Sequence, residues 1–391
     1  MEEEVPERLP CRLELSNGMT MHGKLFGSQV VTSGELVFTT AMVGYSESLS
    51  DPSYLGQILV FSYPLIGNYG IPAPPSGDLR SGLPGGFESQ HIHASSVIVG
   101  VDSANPYHWN SFHSLDRWLH QEGVPGIAGI DTRHLVTLIR ENRNLLGRIV
   151  PMPASGVPAW SQELQKKFPE LAQDSFLDPS LFELMPLVSS RSRLQIGNSA
   201  GPRIGVLDLG IKWNILRQLI DSGCQVELLP YNSDLDDTEC DGFVLSNGPG
   251  NPEKTGPVID EVKKLLTKNI PVLGICLGHQ VLALAAGART RRMQYGHRSH
   301  NQPVRLEDGK SLSDSRGYMT SQNHGYEVLE QSLPKEWNVW FRNANDSSVE
   351  GIIHESGNWR SCQFHPEAAG GPRDTAWVIR DFVETCMRAK A

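Results

Sequence analysis

Two different patterns of apolar and polar residues divide the chain. From residue 11 to residue 63, apolar and polar positions alternate over short runs, which is the period of a strand with one buried face. Residues 11–15 and 19–26 alternate on the two sides of a Ser-Asn-Gly turn and predict a hairpin. Residues 35–40 and 57–62 predict two further strands.

Helical spacing joins this β-rich pattern further along the chain. Residues 94–100 contain a Val-Ile-Val run that predicts a buried strand, and residues 114–122 predict a helix with a serine at its N-cap. A second helix is predicted to begin at Asp131 or Thr132, with one apolar face. Residues 1–150 are therefore interpreted as one β-rich α+β domain.

The pattern changes again after residue 150. Residues 151–202 are irregular and rich in Pro, Ser and Gly, with one amphipathic stretch at 160–171, and are interpreted as a linker. From residue 203, strands alternate with helices, which predicts a parallel sheet with helices on both faces and functional residues at the carboxyl ends of its strands. Residues 203–391 are thus expected to form an α/β domain. Its predicted elements are strands at 204–209, 225–229 and 242–246 and helices at 212–222 and 258–268.

Composition narrows the classes of protein. The 391 residues carry a formal net charge of −10, which disfavours a nucleic-acid-binding protein. A run of about eighteen apolar residues is absent from the sequence, so a membrane span is not expected. The N-terminus is acidic and unlike a targeting peptide, and the six cysteines are scattered without a CxxC pair, which together predict a reducing, cytoplasmic location. The two closely spaced histidine pairs lack further metal ligands, and no metal site is expected.

Cys276 is the first candidate for chemistry. It follows four apolar residues, lies between Gly274 and Gly278, and precedes an apolar-periodic segment. This pattern predicts a strand, a sharp turn and a helix with the cysteine at the apex, the cysteine counterpart of a nucleophile elbow. The helix N-terminus would offer free backbone N–H groups to an oxyanion. A buried core cysteine in a Gly-containing loop is the alternative that this stretch alone leaves open.

A cysteine nucleophile requires a base and a group that orients the base. His365 precedes proline, which favours an extended chain, and in an extended chain residues two apart point to the same side. Glu367 can therefore orient the imidazole of His365. Gly248 and Gly250 would allow close approach of backbone donors to a substrate oxygen, whereas the polar residues 320–326 fit either a substrate loop or a surface turn.

Four motifs, taken together, resemble the class I (triad-type) glutamine amidotransferases. They are Ser-Asn-Gly-Pro-Gly, Gly-Ile-Cys-Leu-Gly-His-Gln, Gln-Asn-His-Gly-Tyr and Phe-His-Pro-Glu. Within that class, residues 44–54, 63–70 and 125–133 are similar to the small, glutamine-hydrolysing subunit of carbamoyl-phosphate synthetase and to the equivalent region of the fused animal pyrimidine enzyme.

The resemblance implies a triad and a glutamine site. Cys276 would be the nucleophile, His365 the general base and acid, and Glu367 its orienter. Ammonia released from a γ-glutamyl thioester would pass to a large synthetase subunit, or a fused equivalent, that uses ATP, Mg and bicarbonate; this chain itself would need no cofactor. The resemblance implies that glutamine is held by Ser53, Gly248, Gly250, Leu277, Gln280, Asn323, Gly325 and Tyr326.

Two other functions remain as alternatives. A non-catalytic regulatory homologue would bind the large subunit without hydrolysing glutamine, and a free-standing cysteine hydrolase would act alone. All three triad residues are present, which disfavours the first, and a simple hydrolase has no use for the N-terminal 150 residues, which disfavours the second.

Overall fold

The computed structural model describes residues 8–73, 83, 85–152, 176–197, 200–307 and 315–390. The chain forms two compact units: one contains Met1–Ser76 and Gln90–Leu181, and the other contains Gly77–Ser89 and Phe182–Ala391. The described residues 85–89 belong to the second unit and residues 176–181 to the first, so the units do not follow the predicted division at 150 and 202.

The first unit is built on a closed barrel with the strand order β1-β2-β8-β6-β4-β3-β9. The apolar side chains of alternating strand positions form its core together with those of one helix, Thr132–Glu141. The strands are β1 Pro10–Leu15, β2 Thr20–Gly27, β3 Thr32–Thr39, β4 Gln57–Phe61, β5 Leu65–Ile66, β6 Ser96–Val99, β7 Val101–Asp102, β8 Pro125–Ala128 and β9 Leu146–Pro151. The helices are α1 Tyr45–Leu49, α2 Leu115–Gln121 and α3 Thr132–Glu141, with 3-10 helices at Pro52–Tyr54 and Pro179–Leu181.

The predicted hairpin is confirmed, since β1 and β2 pair antiparallel with Leu13 opposite Met21. Both predicted helices are also present, and their caps are Ser114, which accepts from Arg117 N, and Asp131, which accepts from His134 N. The sequence pattern missed β8, because four residues beginning with proline show no alternation. It also missed β9, which pairs with β1 and β3 and closes the barrel.

The second unit contains a ten-stranded sheet in the order β10-β12-β11-β13-β14-β19-β18-β16-β15-β17. The strands are β10 Leu194–Ile196, β11 Arg203–Asp208, β12 Gln225–Pro230, β13 Gly242–Leu245, β14 Val272–Ile275, β15 Thr290–Leu306, β16 Gly317–Val328, β17 Trp337–Asn343, β18 Val349–His354 and β19 Trp359–Cys362. The helices are α4 Met185–Val188, α5 Trp213–Asp221, α6 Gly256–Thr267, α7 Leu277–Ala286 and α8 Trp377–Lys390, with 3-10 helices at Pro252–Lys254 and Glu330–Ser332.

Five central strands of this sheet, from β12 to β19 in the order given, run parallel, as predicted. Alternate residues of β13 face opposite sides: Val244 packs in a core with α5 and α8, whereas Phe243 packs in a core with α6 and α7. Helices therefore cover both faces, which confirms the α/β prediction. The sheet is nevertheless mixed, because β10 and the strands beyond β19 are antiparallel to their neighbours.

Only part of the predicted linker is described. The amphipathic stretch 160–171 lies outside the described residues. Within the rest, α4 and the edge strand β10 are regular elements of the second unit rather than irregular chain. Among the helices that the structure describes, none is both long and apolar enough to span a bilayer.

Candidate active site

Cys276 lies at the turn between the carboxyl end of β14 and the first residue of α7. Its backbone has φ 53° and ψ −104°, a conformation that non-glycine residues rarely adopt and that costs about 1–3 kcal/mol. The side chain is 3% exposed. The predicted strand, sharp turn and helix are confirmed, and the strained backbone holds the thiol at the carboxyl edge of the sheet.

The two glycines that flank Cys276 are required by close backbone approach. A Cβ atom on Gly278 would lie 2.1 Å from the carbonyl oxygen of Leu245, and one on Gly274 would lie 2.5 Å from that of Gly278. Backbone hydrogen bonds fix the turn, since Cys276 N donates to Cys362 O over 2.9 Å and Gly278 N donates to Ser246 O over 3.0 Å. The elbow is therefore tied to the strands on both sides of β14.

His365 and Glu367 follow β19, the strand next to β14. His365 N donates to Ser321 O over 2.9 Å, and His365 Nδ1 lies 2.6 Å from Glu367 Oε1. The extended chain brings the two side chains together, as the His-Pro-Glu sequence predicted. The other ring nitrogen, Nε2, is buried without an oxygen or nitrogen partner among the described residues, and the Cys276 side chain interacts with the ring. The structure thus places Cys276, His365 and Glu367 in one cluster.

The charges within this cluster shift the pKa values of His365 and Glu367 in opposite directions. Burial and Lys212 lower the pKa of His365, but Glu367 and a Cys276 thiolate outweigh them and raise the pKa to about 10. Burial raises the pKa of Glu367, but the positive charges on His365 and Lys212 outweigh it and hold the pKa at about 2. Near neutral pH the pair is an imidazolium and a carboxylate, so His365 carries a proton that it can donate.

Two residues at the start of α5 hold Glu367 and were missed by sequence reasoning. Lys212 Nζ lies 3.4 Å from Glu367 Oε1, and Asn214 Nδ2 donates to the backbone carbonyl of Glu367. Lys212 is only 8% exposed, and its own N–H donates to Asn247 Oδ1 over 3.0 Å. The position of Lys212 could have indicated this role, because it follows the strand β11, whose carboxyl end lies at the same edge of the sheet as Cys276.

The glutamine-binding residues that the resemblance implies near the elbow lie at two adjacent strand ends. Gly248 and Gly250 follow β13, and a Cβ atom on Gly248 would lie 3.0 Å from Leu277 Cδ2. Gln280, one turn into α7, donates through Nε2 to Tyr326 O over 3.1 Å and to Gln363 Oε1 over 2.8 Å. The amide nitrogen of Gln280 is thus bound to protein groups.

The other implied residues lie on β16 and in the first unit. Asn323 O lies 3.5 Å from Cys276 Sγ, so β16 borders the Cys276 thiol directly. Gly325 and Tyr326 continue this strand, and Gly325 lies beside the guanidinium of Arg298. The segment is a β-strand, not a surface turn. Ser53 lies in the first unit, on a 3-10 helix where its N–H donates to Asp51 Oδ1 over 2.9 Å.

Comparison with known proteins places this site in a family. The family model "Glutamine amidotransferase class-I" matches residues 205–385, and "Carbamoyl-phosphate synthase small chain, CPSase domain" matches residues 13–149. The chain is 42% identical over 383 residues to the carbamoyl phosphate synthase arginine-specific small chain of Aspergillus clavatus, covering 96% of this chain and 79% of that protein. The chain belongs to the carbamoyl phosphate synthase small-chain family.

Relatives of this small-chain family member also include longer proteins. The multifunctional protein CAD of Squalus acanthias is 45% identical over 378 residues, which cover 96% of this chain and 16% of that protein. The multifunctional protein ura1 of Schizosaccharomyces pombe is 40% identical over 395 residues, which cover 96% of this chain and 17% of that protein. The chain therefore spans only a small part of either multifunctional protein.

A second buried polar cluster of this small-chain family member joins β15, β16 and β18. The imidazole nitrogens of His297 and His324 and a carboxylate oxygen of Glu350, which are possible metal-ligand atoms, lie within 4.8 Å of one another. His297 Nδ1 lies 3.2 Å from Glu350 Oε1, and Nε2 lies 2.9 Å from Asp346 Oδ2. Burial lowers the pKa of His297, but the two carboxylates outweigh it and raise the pKa to about 10. Both ring nitrogens face carboxylate oxygens, so the raised pKa makes His297 an imidazolium in a hydrogen-bond network.

Replacing Glu350 by glutamine is expected to lower the free energy of unfolding by about 3 kcal/mol at neutral pH, because a buried imidazolium loses its charge partner. The raised pKa of His297 contributes stability that is complete below its unfolded value and is lost as the pH rises towards about 10. The variant should lose part of this pH dependence, since Asp346 still faces Nε2 of His297. Urea unfolding of the full chain at several pH values measures both effects.

Asp346→Asn is the matched control for this network. Its side chain contacts the same imidazolium but is 45% exposed, so water compensates for the lost charge. The cost should be clearly smaller than for Glu350→Gln. Equal losses in the two variants would contradict a buried ion pair between His297 and Glu350.

Proposed function

We propose that this chain hydrolyses glutamine to glutamate and ammonia and supplies the ammonia to a carbamoyl-phosphate synthetase large subunit or a fused equivalent. The observation that carries the proposal is the strained elbow at Cys276 next to the paired His365 and Glu367. A buried structural cysteine has no need of positive φ or of a buried imidazolium beside it.

The proposed first half-reaction forms a thioester. The Cys276 thiolate attacks the side-chain amide carbon of glutamine, and the resulting oxyanion accepts hydrogen bonds from backbone N–H groups. The N–H of Leu277 suits this role because the first turn of a helix leaves its donors without helical partners. His365, already protonated, gives its proton to the departing nitrogen, so ammonia leaves and the γ-glutamyl thioester remains.

The second half-reaction restores the enzyme. His365, now neutral, takes a proton from water, which attacks the thioester carbon. The carbon–sulfur bond breaks, glutamate leaves, and the thiolate and imidazolium are regenerated. Glu367 holds Nδ1 of the ring throughout, over 2.6 Å, so that Nε2 stays directed towards the reacting atoms.

Substrate recognition follows from the groups around the elbow. The oxygen of Gln280 can accept from the substrate amide, and the β16 residues Asn323, Gly325 and Tyr326 can hold its amino and carboxylate groups. The glycines Gly248 and Gly250 allow the substrate to approach the backbone, and Ser53 contributes a hydroxyl. The chain itself requires no cofactor in this reaction.

The partner and the compartment are also proposed. The large subunit would bind ATP, Mg and bicarbonate and consume the ammonia, as expected for a partner of the small-chain family. A cytoplasmic location suits the six cysteines, all of which lie among the described residues and are free thiols.

The test is a comparison of two assays on the purified chain. Alone, it should release ammonia from glutamine without forming carbamoyl phosphate. After addition of a large subunit with ATP, Mg and bicarbonate, glutamine should support carbamoyl phosphate synthesis. A chain that binds the large subunit but releases no ammonia in either assay would be the non-catalytic homologue instead.

A further inference from the structure

Glu88 is a buried carboxylate that lies far from the triad in sequence but belongs to the same compact unit. It is 2% exposed. Its carbonyl oxygen accepts from Trp213 N over 2.8 Å, and its Oε2 accepts from Asn214 N over 3.0 Å. Lys212 is the N-cap residue of α5, but its side chain makes no capping hydrogen bond to the first turn of the helix. Glu88 therefore supplies the acceptors that the first turn of α5 requires.

The same turn contacts the orienting carboxylate of the triad. Lys212 Nζ lies 3.4 Å from Glu367 Oε1, and the side chain of Asn214 donates to the Glu367 carbonyl. Asn214 thus joins the two acidic residues, because its backbone N–H binds Glu88 and its side-chain amide binds Glu367. A shift of this turn would move both of the groups that hold Glu367.

Charge couples the two carboxylates as well. Burial and the nearby charge of Glu367 raise the pKa of Glu88, whereas Lys212, the Asn214 N–H and the Arg217 guanidinium lower it. The net result is a pKa of about 7. Arg217 Nη1 lies 3.9 Å from Glu88 Oε2, and its Nη2 donates to Phe87 O over 2.7 Å. Lys212 is consequently shared between a permanently ionised carboxylate, Glu367, and one that ionises near neutrality, Glu88.

We propose that Glu88 is a positioning residue of the triad, which anchors the first turn of α5 so that Lys212 and Asn214 hold Glu367, and whose charge offsets that of Lys212. This inference rests on the proposed glutaminase function. It assigns to Glu88 no contact with substrate; Glu88 acts on His365 through Lys212 and Glu367.

The sign of the charge effect can be worked out. Removing the negative charge of Glu88 leaves Glu367 as the remaining carboxylate beside Lys212, so the positive charge of Lys212 is compensated less. Lys212 already lowers the pKa of His365, so this pKa falls further and the imidazolium is lost at a lower pH. Below the pKa of Glu88 the carboxyl is neutral in the wild type too, so the difference between variant and wild type should vanish there.

The experiment is the pH profile of glutamine hydrolysis by the full chain carrying Glu88→Gln. The glutamine side chain keeps an acceptor for Asn214 N but carries no charge. Above the wild-type limb, at pH values beyond about 10, we expect kcat to fall about threefold with KM nearly unchanged, and at about pH 6 we expect it to equal the wild type. The alkaline limb of the profile should move down by about half a unit.

Glu227→Gln is the matched control. Glu227, on β12, is also a buried carboxylate: it is 6% exposed and pairs with Arg203 over 2.5 Å. Arg203 is the first residue of the neighbouring strand β11 and therefore lies at the edge of the sheet opposite the triad. Its profile should keep the wild-type limbs. An unmoved limb in Glu88→Gln, or a loss that is the same at every pH, would overturn the proposal.

Alkylation of Cys276 by iodoacetamide, followed by mass spectrometry, gives a second readout that needs no turnover. The alkylation rate is expected to increase when His365 loses its proton, and this increase should occur at lower pH in Glu88→Gln than in the wild type.

If Glu88→Gln does not fold, Glu88→Asp replaces it. The charge is kept, so the limb should stay in place while kcat falls, and a displaced limb would overturn the inference. A wild-type chain without glutaminase contradicts the proposed function, whereas an active wild type with an unmoved variant limb contradicts only the role of Glu88.

Discussion

Replacing Cys276 by serine is expected to lower glutamine hydrolysis by at least about 10³-fold, because a serine hydroxyl is a far weaker nucleophile than a thiolate paired with an imidazolium. The fold should be retained, since the two side chains have nearly the same shape and the strained turn is fixed by backbone hydrogen bonds. Ammonia release from glutamine measures the loss. Carbamoyl phosphate synthesis from free ammonia by an added large subunit should be unaffected.

Cys240→Ser is the control for this substitution. Cys240 belongs to the same unit and is half-buried, and burial raises the pKa of its thiol to about 11, so it is not a thiolate at neutral pH. Its replacement should leave glutamine hydrolysis unchanged. If Cys276→Ser retained hydrolysis, or if both variants lost it equally, the elbow would not carry the reaction.

The sequence predicted the elbow well because its signals are local. Four apolar residues, a cysteine between two glycines and an apolar-periodic segment determine a strand, a turn and a helix without help from the rest of the chain. The pairing of His365 with Glu367 is equally local, since proline between them fixes an extended backbone.

Contacts between distant segments escaped the sequence. Nothing in the pattern around Glu88 indicates that it caps a helix that begins 125 residues later, and Lys212 looks like an ordinary charged residue ahead of a helix. Such contacts depend on the order of strands in the sheet, which local periodicity does not encode.

The long strands β15 and β16 were missed for a different reason. They bury polar side chains, among them His297, Gln322 and His324, at positions where a strand with one buried face would carry apolar residues. The alternation that reveals an ordinary strand is therefore broken. Departures from the apolar pattern concentrate where a protein binds or reacts, and β16 borders Cys276, the proposed nucleophile.

Substituting the other two triad residues should separate the base from its orienter. His365→Asn removes the group that donates and accepts the proton and should lower kcat by about 10³-fold or more. Glu367→Gln keeps an oxygen that can accept from Nδ1 of His365, so kcat should fall by less than in His365→Asn. Steady-state ammonia release at saturating glutamine measures both.

The pH dependence gives the sharper distinction between these two variants. In the wild type, the negative charge of Glu367 is a main cause of the raised pKa of His365. Glu367→Gln removes that charge while Lys212 remains 3.4 Å from the same position, so the pKa of His365 falls and the alkaline limb of the profile moves to lower pH. Should His365→Asn prove the milder change, or the limb stay in place in Glu367→Gln, the roles assigned to the two residues would be reversed or absent. The displacement expected here exceeds that for Glu88→Gln, because Glu367 contacts the imidazole directly whereas Glu88 acts on it through Lys212 and Glu367.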